Sequence, residues 1–545
     1  MSEDLRVNGI ASAQPAATEQ PVPARRGSAT GAALVAVGIL MSRVLGLVRQ
    51  ALIARYLGVG IAADAFWAAF KIANTLQNML GEGGLSASFI PVYSSLLGRE
   101  RHEDATRTAG AVLGLLALAS AIIVAAGVVF APLIVSLIAG GFTGEKRELT
   151  ILLTRVFFPG AGLFVLSAWC LGVLNSHRKF LLSYAAPVAW NVAMIAALLW
   201  YGPRESLSRL AVHLAWASVV GAALQFVVQL PSVLHLLGRF RIAFSTRSAE
   251  VRQVLRNFGP ASVSRGAVQI GSMIEQVIAS WLPTGAVTMI GMASTVYVLP
   301  VSLFGMSVSA AELPELARSA APDADALAAM RNRVDVALRR IAYFVVPSAV
   351  GFMVLGDVII AALLRSGRFG ETSTLFTWAI LAGSAPGLLA TTLARLYSST
   401  FFAFNDTRTP FRFALVRLAV TTSLGAGFAL LGPELLGIDA RWGAAGLTLA
   451  SSVGGWLELL LLRHRLDQRL QGGTGIAGRH MAILWGSAIL AAAVGYGLKL
   501  LVGDLHRWIV AAVVLGGFGL VYLGATSLAD VTEARGLTRR LLRRR

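Results

Sequence analysis

The sequence predicts an all-α polytopic membrane protein that crosses the bilayer about fourteen times. Three observations carry this. Residues of the Ala, Val, Ile, Leu, Met, Phe, Trp, Tyr and Cys set fill 56% of the 545 positions, and 56 glycines raise the apolar share to roughly two thirds, against about 45–50% for a soluble protein. Charged residues are 14%, where a soluble surface needs about 25%, and the mean hydropathy is +0.69. The third observation is arrangement: apolar runs of span length recur along the chain with short connections, none long enough for an inserted soluble domain. A soluble enzyme and a disordered chain are both excluded. The single cysteine, Cys170, excludes a disulfide framework. Seven scattered histidines without HExxH spacing leave a metal site nothing to rest on. No GxxxxGK[ST] motif and no nucleophile–base constellation is present, so the chain reads as a transporter and not an enzyme.

A transmembrane helix needs about 20 mostly apolar residues. In order, the spans fall at 32–56, 63–97, 107–139, 149–175, 181–202, 208–237, 251–282, 285–316, 335–364, 373–403, 410–432, 442–463, 479–502 and 507–530. Several exceed the minimum and are free to tilt, bend or protrude. Residues 1–30 are rich in Ala, Pro, Ser, Glu and Gln without apolar periodicity, and read as a disordered tail.

The net charge of +19 is the usual mark of a nucleic-acid binder. Here it is distributed as short basic clusters between spans, which is the positive-inside pattern. With the N-terminus in the cytoplasm, the inside segments hold Arg25/Arg26, Arg99/Arg101/Arg107, Arg178/Lys179, Arg239/Arg241/Arg247, Arg331/Arg333, Arg408/Arg412, Arg463/Arg465 and Arg543/Arg544/Arg545. The outside segments hold only Lys146/Arg147, Arg204/Arg209, Arg365/Arg368, Arg441 and Arg507. Both termini are therefore expected in the cytoplasm, and no nucleic acid is expected as a partner.

Charges at membrane depth are costly and face a cavity or a partner. Span 1 places Arg43 near the midplane, Arg49 about 9 Å further out, and Arg55 at the boundary, where it can snorkel. Spaced by six, the three point about 120° apart on a straight helix and share one cavity only if the helix bends, with Gly46 as the place. Span 2 returns with Asp64 near its outer end, Lys71 at mid-depth and Glu82 in Gly81-Glu82-Gly83-Gly84, a cluster that should weaken or break the helix. Asp64 and Glu82 are candidate partners for these cations. Span 7 adds Arg265, a cavity candidate, and Glu275 near the outer mouth. Arg155, Arg395 and Arg417 are close enough to span ends to snorkel. A cavity lined by cations selects an anion, so the residues by themselves indicate a secondary transporter or flippase for an anionic substrate.

Ser42-Arg43-Val44-Leu45-Gly46-Leu47-Val48-Arg49, followed by Ala54-Arg55, Asp64-Ala65-Phe66, Phe70-Lys71 and Gly81-Glu82-Gly83, resembles the MurJ/MviN family of lipid II flippases in the MOP exporter superfamily. The resemblance continues through Phe158-Pro159, Leu174-Asn175, Gln229-Leu230-Pro231, Gly259-Pro260-Ala261, Pro347-Ser348-Ala349 and Asp406-Thr407-Arg408-Thr409-Pro410. It implies two six-helix lobes around a central cavity plus two C-terminal helices: a tail at 1–30, an N-lobe at 31–240, a C-lobe at 241–434 completed by span 12 at 442–463, a C-terminal pair within 435–530, and a basic tail at 531–545. It implies alternating access that moves undecaprenyl-diphosphate-linked peptidoglycan precursor from the inner to the outer leaflet of the bacterial inner membrane, in cell-wall biogenesis. No cofactor is implied; a coupling ion or the membrane potential would drive the cycle, and membrane lipids and cell-wall synthesis proteins are the implied partners. The substrate-binding set is then Arg43, Arg49, Arg265 and Lys71, with Asp64, Glu82, Arg55 and Glu275 as supporting charges or gates.

This chain departs from the family pattern in places. Arg49-Gln50 stands where the family usually has Arg-Asp, Gln77-Asn78 where it often has a basic residue, and Thr295 where span 8 usually supplies an arginine. Arg265, on the neighbouring span, is a candidate replacement, and snorkelling to the cytoplasmic headgroups is its alternative reading. A flippase for another polyprenyl-linked glycan and a non-transporting scaffold are the alternative readings.

Overall fold

The computed structural model describes residues 29–238, 240–306, 324–404 and 406–535; within these, the side chains at 29–40, 82–83, 184, 263–265, 267–268, 305–306, 324 and 326 lie outside the description. The tail at 1–28 and residues 536–545 also fall outside it.

The described residues form fourteen helical crossings and no strand beyond an isolated bridge between Ser366 and Phe369. Span 1 is Ala29–Tyr56, and span 2 runs from Ile61–Gln77 through a π-helical Asn78–Leu85 into Ser86–Gly98. Span 3 is His102–Val129 continued by Ala131–Ile138. Spans 4 to 7 are Gly144–Ser176, Phe180–Tyr201, Leu207–Leu237 and Ala249–Ser280. Span 8 is Ala286–Pro300 with a π-helical Val301–Met306, and its expected continuation to 316 lies outside the described residues. Spans 9 and 10 are Ala324–Leu364 and Glu371–Ala403; span 11 is Arg408–Ala426, extended by Gly427–Leu431 and Gly432–Leu436. Spans 12 to 14 are Gly443–Arg469, Gly478–Val502 and Arg507–Leu528.

Among the described residues, eleven helices are apolar and long enough to cross a membrane on composition alone. The crossings outside that set are spans 1, 2 and 7, which hold the candidate charges. Two local expectations are corrected. The glycine cluster in span 2 does not break the helix: the ladder widens to π-helical form over Asn78–Leu85 and resumes at Ser86, since glycine lacks the side chain that would resist the wider turn. Span 1 is one continuous helix through Gly46, so its three arginines diverge instead of sharing a cavity.

Packing follows a repeat. Span 1 packs on span 5, span 2 on span 4, span 3 on span 4, span 4 on span 6 and span 5 on span 6. Adding six to each number gives 7 on 11, 8 on 10, 9 on 10, 10 on 12 and 11 on 12, and all five pairs are present. Two six-helix lobes of like architecture thus face each other. Small residues bring the backbones together, as expected where lipid offers no hydrophobic drive between helices. In the C-lobe, a Cβ on Gly387 would lie 2.6 Å from Ser452 Cα, and Ser452 and Thr448 donate at 2.8 Å to the carbonyls of Gly383 and Ile380. Asp406 starts span 11: it accepts from the N–H of Arg408 and Thr409, the Thr409 hydroxyl and Arg469. Burial opposes its charge, but the Thr409 bonds and Arg469 outweigh that and hold the carboxyl below its usual range. Spans 13 and 14 pair with each other and seat on span 9 through Leu355, Val358, Val510 and Val514.

Candidate transport cavity

The lobes meet along two seams. We call the end bearing Gly141 and Gly285 distal, and the end bearing Arg101 and Glu250 proximal.

The distal end is sealed by hydrogen bonds between lobes. Asp64 of span 2 has 0% exposure. It accepts from Lys146 Nζ at 2.6 Å, the Gly285 N–H at 2.7 Å, the Thr288 N–H at 2.9 Å and the Thr288 hydroxyl at 2.7 Å. Lys146 opens span 4 of the same lobe, while Gly285 and Thr288 open span 8 of the other. Asp64 therefore caps the first turn of span 8, where free N–H groups and the helix dipole favour a carboxylate. Its partner is Lys146, not a span 1 arginine as the sequence suggested: the helix directs Asp64 away from span 1 and onto the far lobe. Two backbone contacts extend the seal. The Arg368 N–H donates to the Arg55 carbonyl at 3.0 Å, and the Gly141 N–H to Ser280 Oγ at 3.0 Å. Arg55 itself keeps its guanidinium over Tyr56, 5.6 Å from the ring centre, at the boundary.

Below the seal, span 1 presents its other arginines. Arg49 donates to Asn191 Oδ1 at 2.8 Å and stacks 4.2 Å from the centre of the Trp190 ring. Both partners are on span 5, so Arg49 is held within its own lobe, and Phe70 also stacks on Trp190, with 6.0 Å between ring centres. A desolvated cation–ring contact contributes about 2 kcal/mol. One residue on, Gln50 Nε2 reaches across and donates to Thr295 Oγ1 of span 8 at 3.2 Å. The two departures at Gln50 and Thr295 thus meet each other, as a neutral contact between lobes. Gln50 Oε1 is buried and has no hydrogen-bond partner among the described residues.

Arg43 is exposed and donates to Ser302 Oγ of span 8 at 3.1 Å. Lys71 of span 2 is half-buried, and Glu275 of span 7 is within electrostatic reach of it from the opposite lobe. Span 2 and span 7 close the other seam: a Cβ on Gly84 would lie 2.6 Å from the Phe258 ring and the Ser262 hydroxyl. The proximal end adds an ion pair from Arg101 to Glu250 at 2.9 Å.

The sequence candidates therefore occupy three levels: Asp64 and Arg55 at the distal seal, Arg49, Lys71 and Glu275 below it, and Arg43 nearer the proximal end. The side chains of Arg265 and Glu82 lie outside the described residues. The expectation that Arg417 snorkels is corrected, because Arg417 donates to Glu458 of span 12 at 2.9 Å. Sequence reasoning also missed Trp190 and Asn191. An asparagine inside the apolar run of span 5 was the available signal.

The profile described as lipid II flippase MurJ matches residues 53–519. A probable lipid II flippase MurJ of Rhizobium tropici is 32% identical over 477 residues, covering 86% of this chain and 85% of that protein. The lipid II flippase MurJ of Burkholderia cenocepacia is 33% identical over 437 residues, covering 79% and 82%. Among solved structures, a lipid II flippase MurJ in an inward closed conformation aligns with a TM-score of 0.75 at 23% identity over 91% of this chain and 98% of that one. An inward-facing MATE family multidrug resistance transporter of the MOP superfamily aligns with a TM-score of 0.60 at 19% identity, over 81% and 99%. Matched along most of its length by the profile and by curated relatives, this multi-pass membrane chain belongs to the lipid II flippase MurJ family.

Proposed function

We propose that the chain flips lipid II, the undecaprenyl-diphosphate-linked peptidoglycan precursor, from the inner to the outer leaflet of the bacterial inner membrane. The observation that carries this is the pairing of a cationic span 1 with a distal seal. Arg43 is exposed between the lobes at membrane depth, and the far end is closed by a buried carboxylate joining both lobes. A cationic space between two lobes joined at both ends is one state of an alternating-access cycle, and guanidinium groups suit a diphosphate. In this reading the distal end faces outward and both termini are cytoplasmic, in keeping with the Lys/Arg distribution. A coupling ion or the membrane potential resets the empty carrier. The neutral Gln50–Thr295 contact favours one second reading, a flippase for another polyprenyl-linked glycan.

The test is rescue of a strain depleted of its own lipid II flippase. The wild-type chain should restore growth, and Arg43→Ala should abolish rescue at normal membrane levels. Full rescue by Arg43→Ala would remove Arg43 from the site. No rescue by a well-inserted wild-type chain would favour the other glycan.

A further inference from the structure

Spans 13 and 14 are joined by a short turn that runs only from Gly503 to His506. The turn borders a cleft of about 520 Å³, within the range of ligand sites, about 300–1,000 Å³. Its charged lining is Asp357 of span 9, Arg365 just past that span, Lys499 of span 13, Asp504 of the turn and Arg507 at the start of span 14. Val358 and Val510 form part of its apolar wall. The cleft is built from the C-lobe and the C-terminal pair alone, so it is separate from the space between the lobes. It lies at the distal ends of its spans, and therefore at a membrane surface whichever way that end faces.

Two of these charges are matched and two are not. Lys499 Nζ pairs with Asp357 Oδ2 at 2.6 Å, and Arg365 pairs with Glu371. Asp504 and Arg507 line the same cleft, yet neither has an ion-pair partner among the described residues. The Arg507 guanidinium carbon instead lies 5.8 Å from the centre of the Trp508 ring. Single atoms repeat the pattern. Arg507 Nε is buried with no acceptor among the described residues, and Asp357 Oδ1 is buried with no donor among them. Buried polar groups are nearly always hydrogen-bonded, because leaving one unpaired is costly. The cleft thus calls for an acceptor at Arg507 and for an N–H donor at Asp357 and Asp504. A simple anion would meet the two carboxylates, and a simple cation would meet Arg507. A ligand carrying both charges satisfies both sides. The surroundings give its nature: Leu500, Leu501, Leu505 and Ile509 of the same hairpin are exposed apolar side chains, and Trp508 is exposed beside them, as expected at the interface between hydrocarbon and headgroups.

We propose that this cleft binds the headgroup of an amino-phospholipid, with the phosphate on Arg507 and Lys499 and the ammonium on Asp504 and Asp357 Oδ1. A guanidinium donates to phosphate oxygens, and a primary ammonium offers three donors to carboxylates. The acyl chains lie along the exposed leucines of the hairpin. A lipid held in this way bridges span 9 and the C-terminal pair, as the Lys499–Asp357 ion pair does. A choline headgroup carries the same two charges but has no N–H to donate, and a glycerol headgroup lacks the positive charge.

The test offers purified full-length protein in detergent three lipids in turn, phosphatidylethanolamine, phosphatidylcholine and phosphatidylglycerol, and measures bound lipid by native mass spectrometry. The wild-type protein should retain phosphatidylethanolamine severalfold better than either of the others. Arg507→Gln and Asp504→Asn should each weaken that binding by about tenfold, the loss of a charge-assisted bond, and Asp504→Asn should also erase the preference over phosphatidylglycerol. Asp439→Asn, in the distal connection between spans 11 and 12, should change nothing. Equal retention of the three lipids by the wild-type protein overturns the proposal, as does an unchanged preference in folded Arg507→Gln and Asp504→Asn proteins. An equal loss in Asp439→Asn also overturns it, because the effect is then one of general surface charge. Displacement of the lipid by soluble O-phosphoethanolamine at equal concentration overturns the assignment to a lipid, since the acyl chains then contribute nothing.

Discussion

Asp64 shows how one residue ties two lobes together. It is buried, ion-paired with Lys146 and bonded to three donors at the start of span 8. Removing one partner of a buried pair costs about 3–5 kcal/mol, so Asp64→Asn should loosen the distal seal. Ser280→Cys, in a Cys170→Ser background, reports this: position 280 is buried at the seal, so labelling by an external thiol reagent should be slow with Asp64 present and rise sharply in Asp64→Asn. Unchanged labelling would show that the remaining contacts alone hold the seal. At Arg49, Arg49→Lys keeps the charge but loses the planar stack on Trp190 and the reach to Asn191. It should rescue growth less well than wild type but better than Arg49→Ala; equal failure of both would mean that geometry, not charge, is what counts. The sequence revealed the depth of these residues, because depth follows from counting along a helix. Their partners were not legible. Lys146 is distant in sequence and read as an ordinary loop cation, and Arg417 was measured from span ends that hide the pairing with Glu458 on another helix.

Span 2 shows what an element can encode beyond its ends. Its glycine cluster was visible as an interruption, but a widened π turn and a break have the same sequence signal. What the structure adds is the function of the gap: Gly84 lets Phe258 and Ser262 of span 7 approach within contact distance. Gly84→Leu would force the two spans apart at this seam. It should abolish rescue while leaving membrane levels normal, and increase reagent access to a cysteine at position 262. Normal growth would show that this seam already opens freely. Most span boundaries were legible to within about five residues, because the apolar runs and the helices share the same limits; span 9 instead begins eleven residues earlier, at Ala324, and span 12 runs six further, to Arg469, because both helices continue as charged turns beyond the apolar run. The six-step repeat in packing was not, since small residues at the contacts suffice and no repeated motif is required.

At the scale of the molecule, two like lobes, a sealed distal end and a cationic interior describe one state of a carrier. Orientation follows from charge asymmetry, and external labelling of single cysteines should modify position 143 and spare position 247 in intact cells. The reverse pattern would invert the topology and turn the distal seal toward the cytoplasm. The most direct measurement of the central claim is the amount of lipid II exposed at the outer leaflet. In cells depleted of their own flippase and supplied with this chain, an externally added lipid II-cleaving enzyme should consume a large part of the lipid II pool. With Arg43→Ala at equal membrane levels, the pool should stay protected. Protection that persists with the wild-type chain, correctly inserted and abundant, would contradict the assignment of lipid II as its substrate.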